Sequence, residues 1–447
     1  MKKSMQDFFQ KTKILGHIEA DLYAKHKVKN GLRNEDGTGV LVALTKISDV
    51  IGYTYQNNEK KDIDGKLQYR GIDVEEIISK ADSNRVNIFE EVCFLIMFGY
   101  LPTAKEFQIF EEMLHEQYML SPQFYQNQTC KTPPKNLMNK LQQDILSLYD
   151  YDETPDDITL EHCLSKGMAI VAKMPSLIAY NYAVKQNSVD HKHAFSKTMD
   201  TSLSLAEHIL SLLRPDKGYT HQEAKVLDIA LVLHADHGGG NNSTFVNVVM
   251  SSSGTDLYAS FAGAIGSLKG AKHGGANVKV VEMMHAVIDK IGYSENEAVI
   301  ANIIQKILDK QFYDNSGLLY GMGHAVYTKS DPRSKQLAKV AKVLAKEKGL
   351  TKEFAFYERF EQLASDALYA HLGKRVSANI DFYSGFVYQM LGIPNALFTL
   401  VFACSRSVGW LAHNLEQKMY SRKIVRPATK YVGELQPYIE MEKRGKK

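Results

Sequence analysis

The side chains able to do chemistry fall in six short stretches between positions 234 and 426. They are His234 and His237 in H-A-D-H, His273 in K-H-G-G-A-N, and His324 with Arg333 in G-M-G-H-A-V-Y-T-K-S-D-P-R. Further on come Asp381 in N-I-D-F-Y-S-G, Arg406 in S-R-S-V-G-W-L-A-H and Arg426 in V-R-P. Arginines recognise carboxylates, histidines move or donate protons near neutral pH, and an aspartate in an apolar setting is a base. The set suits a small di- or tricarboxylate together with general acid–base chemistry.

These side chains need elements that aim them. Asp331 suits an N-cap and Pro332 a first helical position, so 333–348 reads as a helix with Gly349 as its left-handed terminator. Arg333 then sits in the first turn, where the dipole disfavours a cation and an adjacent anion is expected. Gly321 and Gly323 permit a tight turn before His324, although the same pattern also fits a plain turn into a surface helix. Thr220 and Glu223 form a capping box for a helix that stops at Gly238-Gly239-Gly240. His234 and His237 lie in its last turn, where the dipole favours protonation. Half of a metal site, a helix cap and an anion site all fit that pair.

His273 falls at or just before a helix start, where the dipole keeps imidazole neutral and able to donate to a developing oxyanion; a loop histidine in a tight turn is the alternative. Asp381 is placed either to cap the helix it precedes or to act as a base between Ile380 and Phe382. The segment 397–415 is apolar nearly all round and reads as a buried helix. Arg406 lies in its middle, with Gly409, Trp410 and His413 on the same face. It needs a carboxylate, from inside the protein or from a bound acid. Arg426 taken alone reads as a surface arginine.

The rest of the chain bounds the class. With 54 basic and 51 acidic residues in 447, the charge is too balanced for a nucleic-acid footprint. Cys93, Cys130, Cys163 and Cys404 show no paired spacing, which suits reduced thiols in a cytoplasmic protein. The N-terminus has no apolar leader run, and no uninterrupted apolar run reaches membrane-spanning length. Helical patterns are expected over 1–30, 73–80, 89–98, 161–185 with a break at Pro175, and 192–213. A short strand is expected at 40–44, and 57–65 reads as a polar turn. Scarce strand signals point to an all-α protein.

The ordered motifs, together with L-Q-Y-R-G-I-D (67–73) and F-E-E-V-C-F-L-I-M-F-G-Y-L-P-T (89–103), resemble the citrate synthase family over about 31–430. The resemblance implies an all-α fold with a large domain (1–275, including an N-terminal extension 1–30), a small domain (276–392) and a return to the large domain with a C-terminal arm (393–447). It implies condensation of acetyl-CoA with oxaloacetate, then hydrolysis of citryl-CoA, with no cofactor and no metal. Asp381 would be the base, His273 the donor to the enolate oxygen and His324 the donor to the ketone of oxaloacetate. His237, His234, Arg333 and Arg406 would hold carboxylates, and Arg426 would reach the site of the neighbouring subunit in a homodimer. Lys374, Arg375 and Lys329 are candidates for the CoA phosphates, because Thr328 stands where the family often has a basic residue. A 2-methylcitrate synthase using propionyl-CoA would need the same residues. A metal-dependent hydrolase built on H-A-D-H is a distant alternative.

Overall fold

The computed structural model describes residues 3–15, 17–57, 59–82, 84–192, 200–421 and 423–444. The chain forms two units, one of residues 44–424 and one of the two chain ends, 1–43 with 425–447. In the terminal unit Lys3–Leu15 and Asp21–Lys25 are helical, and the C-terminal stretch is mostly irregular. Its apolar side chains stand largely in solvent, with Leu41 at 85%, Leu435 at 93% and Tyr438 at 86% exposure.

The 44–424 unit is helical, with one small antiparallel sheet of β1 (Ser48–Gln56), β2 (Glu59–Tyr69) and β3 (Ile72–Asp73). The expected polar turn at 57–65 is therefore mostly strand, with Gln56 opposite Glu59 and Ser48 opposite Tyr69. Lys60, Lys61 and Asp62 lie on the solvated arm of the hairpin, where polar side chains cost nothing. The expected strand at 40–44 does not form, because no neighbouring strand pairs with it.

Ten helices carry the argument: α1 (Ile88–Phe98), α2 (Leu160–Ser188), α3 (Leu205–Leu213), α4 (His221–His234), α5 (Asn242–Ser252), α6 (Leu257–Leu268), α7 (Ala276–Ile291), α8 (Pro332–Glu347), α9 (Ile380–Met390) and α10 (Phe398–Tyr420). Pro175 does not break α2. Proline costs about 3 kcal/mol inside a helix. Burial of most of the helix's apolar side chains offsets this, and Gly167 lets the backbone of α2 approach Leu411 of α10. The helix expected over 192–213 is confined to α3, with Ser204 and Glu207 as its capping box; residues 193–199 of that expectation lie outside the described residues.

α10 is the central post. Residues 398–415 are all buried, and α10 packs on α1, α2, α4, α5, α6 and α7. It is long and apolar enough to cross a membrane by composition, yet most of it is enclosed by the other helices. Around it, α4, α8 and α9 pack on one another, so the termini of three helices come together.

Candidate active site

The site is built from loops and helix ends. Asp331 caps α8 as expected, accepting from the Arg333 N–H at 3.0 Å, and Pro332 follows. The anion that Arg333 requires is the same Asp331, which receives Nε at 3.0 Å and Nη2 at 2.7 Å. Burial works against the Arg333 charge, and Asp331 more than restores it. Both side chains are buried. One residue thus caps the helix and fixes the guanidinium, with Nη1 engaged by none of the described residues.

The 321–324 loop turns on Gly321 (φ +80°) and Gly323 (φ +91°). It is stitched to the segment before α9: Gly323 N–H donates to Ser377 at 2.8 Å, Asn379 N–H to Gly321 at 2.8 Å and Asn379 Nδ2 to Gly323 at 2.8 Å. Asn379 also caps α9, accepting from the Asp381 N–H at 2.9 Å. Asp381 is therefore not the cap; it stands in the first turn. Its carboxylate receives no hydrogen bond or ion pair from any described residue. Burial pushes it up to about 6, against the pull of Arg333 and Arg406. Burial of this kind leaves a carboxylate able to take a proton near neutral pH.

His324 accepts at Nδ1 from the Val326 N–H (3.0 Å) and the Tyr327 N–H (3.2 Å), so its ring proton belongs on Nε2. The ring stacks on Tyr327 at 4.8 Å and meets His237 edge-on at 5.0 Å. Behind this loop the hairpin presses closely: a methyl at Gly52 would strike the Val326 carbonyl, and one at Gly65 the Ser330 carbonyl. Tyr327 Oη donates to the Lys66 carbonyl at 3.2 Å. The sheet is thus a rigid backing for His324.

The expected charge on the H-A-D-H histidines is not found. Only His234 ends α4; His237 lies three residues beyond it. Burial holds His234 down to about 3 and His237 well below its usual value, with Arg333, His324 and Arg406 adding repulsion. Burial, with these charges added, outweighs half a unit of helix dipole. His234 Nδ1 donates to Ala230 of its own helix at 2.7 Å. His237 Nε2 is buried without a hydrogen-bond partner among the described residues. Asp236, between them, accepts from Ser48 Oγ, from His413 Nε2 at 3.1 Å and from the Gly238 N–H at 3.0 Å. The stretch therefore does not converge on one point, and no three metal-ligating groups cluster among the described residues.

Arg406 is 1% exposed. Its Nε donates to the His234 carbonyl at 2.7 Å and its guanidinium lies 4.7 Å from the Phe402 ring. Among the described residues no carboxylate comes within ion-pair distance, and burial drops the group to about 10. His273, in the turn before α7, faces Ser243: the Ser243 N–H points at Nε2 at 3.4 Å and the hydroxyl lies 3.1 Å from it. That places the ring proton on Nδ1. Trp410 Nε1 donates to the Ser243 hydroxyl at 3.2 Å, so α10 holds the arrangement from behind. Burial, then Arg406, keeps His273 down to about 4, and it is neutral.

The structure thus brings His237, His273, His324, Arg333, Asp381 and Arg406 into one electrostatically coupled group. Lys374 and Arg375 are exposed beside Val376, which touches the Gly323 position, and Lys329 is exposed nearby in the chain. Arg426 is exposed in the terminal unit. Sequence reasoning missed Tyr327, Ser243, Asp236 and Asn379 as supports. Asn379 carried the one readable signal, since it precedes Asp381 by the two residues that an N-cap requires.

Known proteins carry the same arrangement of sequence and fold. The family model for the citrate synthase C-terminal domain matches residues 34–428. A citrate synthase of Haloferax volcanii is 34% identical, over 91% of this chain and 96% of its own. A 2-methylcitrate synthase of Shewanella oneidensis is 31% identical, over 82% of this chain and 88% of its own. The solved citrate synthase of Pyrobaculum aerophilum superposes with a TM-score of 0.73 at 29% identity, over 91% of this chain and 94% of its own. That of Thermoplasma acidophilum, in ternary complex with carboxymethyl coenzyme A and oxaloacetate, gives 0.74 at 24% identity, over 93% and 99%, a likeness of fold. With the motifs in order, the helices in place and relatives matched along nearly their whole length, this chain belongs to the citrate synthase family, acyltransferases that convert the acyl group to alkyl on transfer.

Proposed function

We propose that this chain condenses acetyl-CoA with oxaloacetate and hydrolyses the resulting citryl-CoA to citrate and CoA. The observation that supports it most is Arg406: a buried guanidinium with no carboxylate within ion-pair distance among the described residues, electrostatically coupled to His237, whose Nε2 no described residue engages, and to Arg333, whose Nη1 is likewise unengaged among them. Three such groups match a dicarboxylate that brings its own negative charge. His234 serves through its carbonyl, which orients Arg406.

Asp381 takes a proton from the thioester methyl group. His273 donates from Nδ1 to the thioester oxygen as charge develops there, and His324 donates from Nε2 to the ketone oxygen as the carbon–carbon bond forms. Both histidines are suited as neutral donors, because each ring's other nitrogen is occupied by fixed N–H groups. Water then cleaves the citryl thioester and releases CoA as a free thiol. The exposed Lys374, Arg375 and Lys329 hold the CoA phosphates. Residues 276–392 act as a small domain closing over the rest, which shuts out water before deprotonation. The exposed apolar chain ends, with Leu41, Leu435 and Tyr438 uncovered, suit a cytoplasmic homodimer in which Arg426 reaches the neighbouring site.

Propionyl-CoA is the second reading, because a 2-methylcitrate synthase stands among the relatives at similar identity. Free-thiol release measured with each acyl-CoA at saturating oxaloacetate decides it. A preference for acetyl-CoA of about 10- to 200-fold in kcat/KM is expected. A preference for propionyl-CoA would transfer the assignment.

A further inference from the structure

Three helices that carry the site meet again at their far ends. α4 starts at His221, just after its cap Thr220, and runs toward His237; α8 carries Arg333 and α9 carries Asp381 in its first turn, and both run away from the site. At about 1.5 Å per residue, the far ends lie roughly 20 Å from the chemistry. There Glu223, 2% exposed, ties them. Its Oε1 accepts from Lys348, just past the end of α8, at 2.6 Å and from Arg214 at 3.0 Å; its Oε2 accepts from the Thr220 N–H at 2.9 Å. Thr220 Oγ1 in turn donates to Glu347 of α8 at 3.2 Å. Arg214 also donates to the Leu391 carbonyl, at the end of α9, at 3.3 Å. Burial pushes Glu223 up, but Lys348, the Thr220 amide and Arg214 bring it below its usual value, so it is ionised. A cleft of about 390 Å³ lies against this cluster, lined by Arg214, Lys217, Glu223, Lys348 and Gln389 among others.

We propose that Glu223 is a positioning residue for oxaloacetate: the Arg214–Glu223–Lys348 clasp sets the register of α4 against α8 and α9, and so the spacing of His237, Arg333 and Asp381. A capping box needs only the Thr220–Glu223 exchange. The same carboxylate also binds a cation from each of two other segments, which capping does not require. Packed helices shift as rigid pieces between discrete arrangements, so a slip at the clasp reappears at the site ends. This inference rests on the oxaloacetate reading of the site.

The test uses the full-length protein and steady-state thiol release. Glu223→Gln keeps the size and the amide acceptor but removes the charge; Lys348→Met removes one partner at the edge of the cluster and leaves Glu223 with Arg214. Each is expected to raise KM for oxaloacetate about fivefold, with a smaller change in KM for acetyl-CoA, and the double variant is expected to be no worse than the worse single. Lys348→Arg should restore the wild-type KM. Lys342→Met breaks the exposed Lys342–Glu358 pair on the same helix and should leave KM unchanged. Should Glu223→Gln fail to fold, Lys348→Met carries the test alone. Unchanged KM in Lys348→Met, or additive effects in the double variant, would overturn the clasp while leaving the site reading intact. A folded wild type that neither binds oxaloacetate nor releases thiol would overturn both.

Discussion

Replacing Arg406 by methionine separates function from stability with a sign that few arginine deletions have. Burial drops the guanidinium from 12.5 to about 10, which at 1.36 kcal/mol per tenfold costs the charged form about 3 kcal/mol relative to the unfolded chain. Since the folded value lies below the unfolded one, that cost is present at every pH below about 10 and fades only above it. Methionine removes it, and also removes the Nε bond to His234 and the contact with Phe402, worth about 1 kcal/mol each. The balance is about 1 kcal/mol in favour of the variant, so Tm should be unchanged or slightly raised. Oxaloacetate loses a desolvated cation, about 2 kcal/mol or more, and KM should rise at least about 30-fold. Differential scanning fluorimetry and thiol release on one preparation check both halves. A Tm lower by more than roughly 5 °C would mean Arg406 is a structural ion-pair member. A KM within threefold of wild type would mean that no carboxylate binds there.

Other predictions follow from single groups. Asp381 must be ionised to act, so kcat/KM for acetyl-CoA should climb with pH through an inflection near 6. Its raised value also means its charge opposes folding once the pH rises past the unfolded carboxylate range; Asp381→Asn should therefore raise Tm at pH 8 and lose that advantage toward pH 4. His324→Ala should cut kcat by about 10²- to 10³-fold with a smaller change in KM for oxaloacetate, read from initial rates. If Arg426 serves the neighbouring subunit, mixing Arg426→Leu with Asp381→Ala protein should restore up to about a quarter of wild-type activity, from the one intact site of each mixed dimer. Mixtures no better than their parents would place Arg426 elsewhere.

What could be read from the chain was what depends on near neighbours. Asp331-Pro332 started a helix, Thr220 and Glu223 boxed another, and the apolar circumference of 397–415 marked the buried post, because each is decided within one or two turns. What could not be read depended on distant partners. The strand Glu59–Tyr69 exists because Ser48–Gln56 lies beside it, and its Lys-rich outer arm gives no apolar alternation. The protonation of His234 and His237 was misjudged because a helix dipole is local, whereas their burial is made by the whole fold and the charges of Arg333 and Arg406 arrive from about 100 and 170 residues away. Asp381 was offered a capping role that its own predecessor, Asn379, fills. The residues that touch substrate in the proposed reaction stood out as unusual side chains in the sequence; those that hold them, Ser243, Tyr327 and Asp236, look ordinary until the fold brings them together.

The most direct measurement is release of free thiol from acetyl-CoA by the purified protein in the presence and absence of oxaloacetate, with Asp381→Asn alongside. Release that requires oxaloacetate and falls at least about 100-fold in the folded variant is the predicted result. Absence of release from folded wild type with any acyl-CoA, or release undiminished in the variant, would contradict a condensation begun by Asp381.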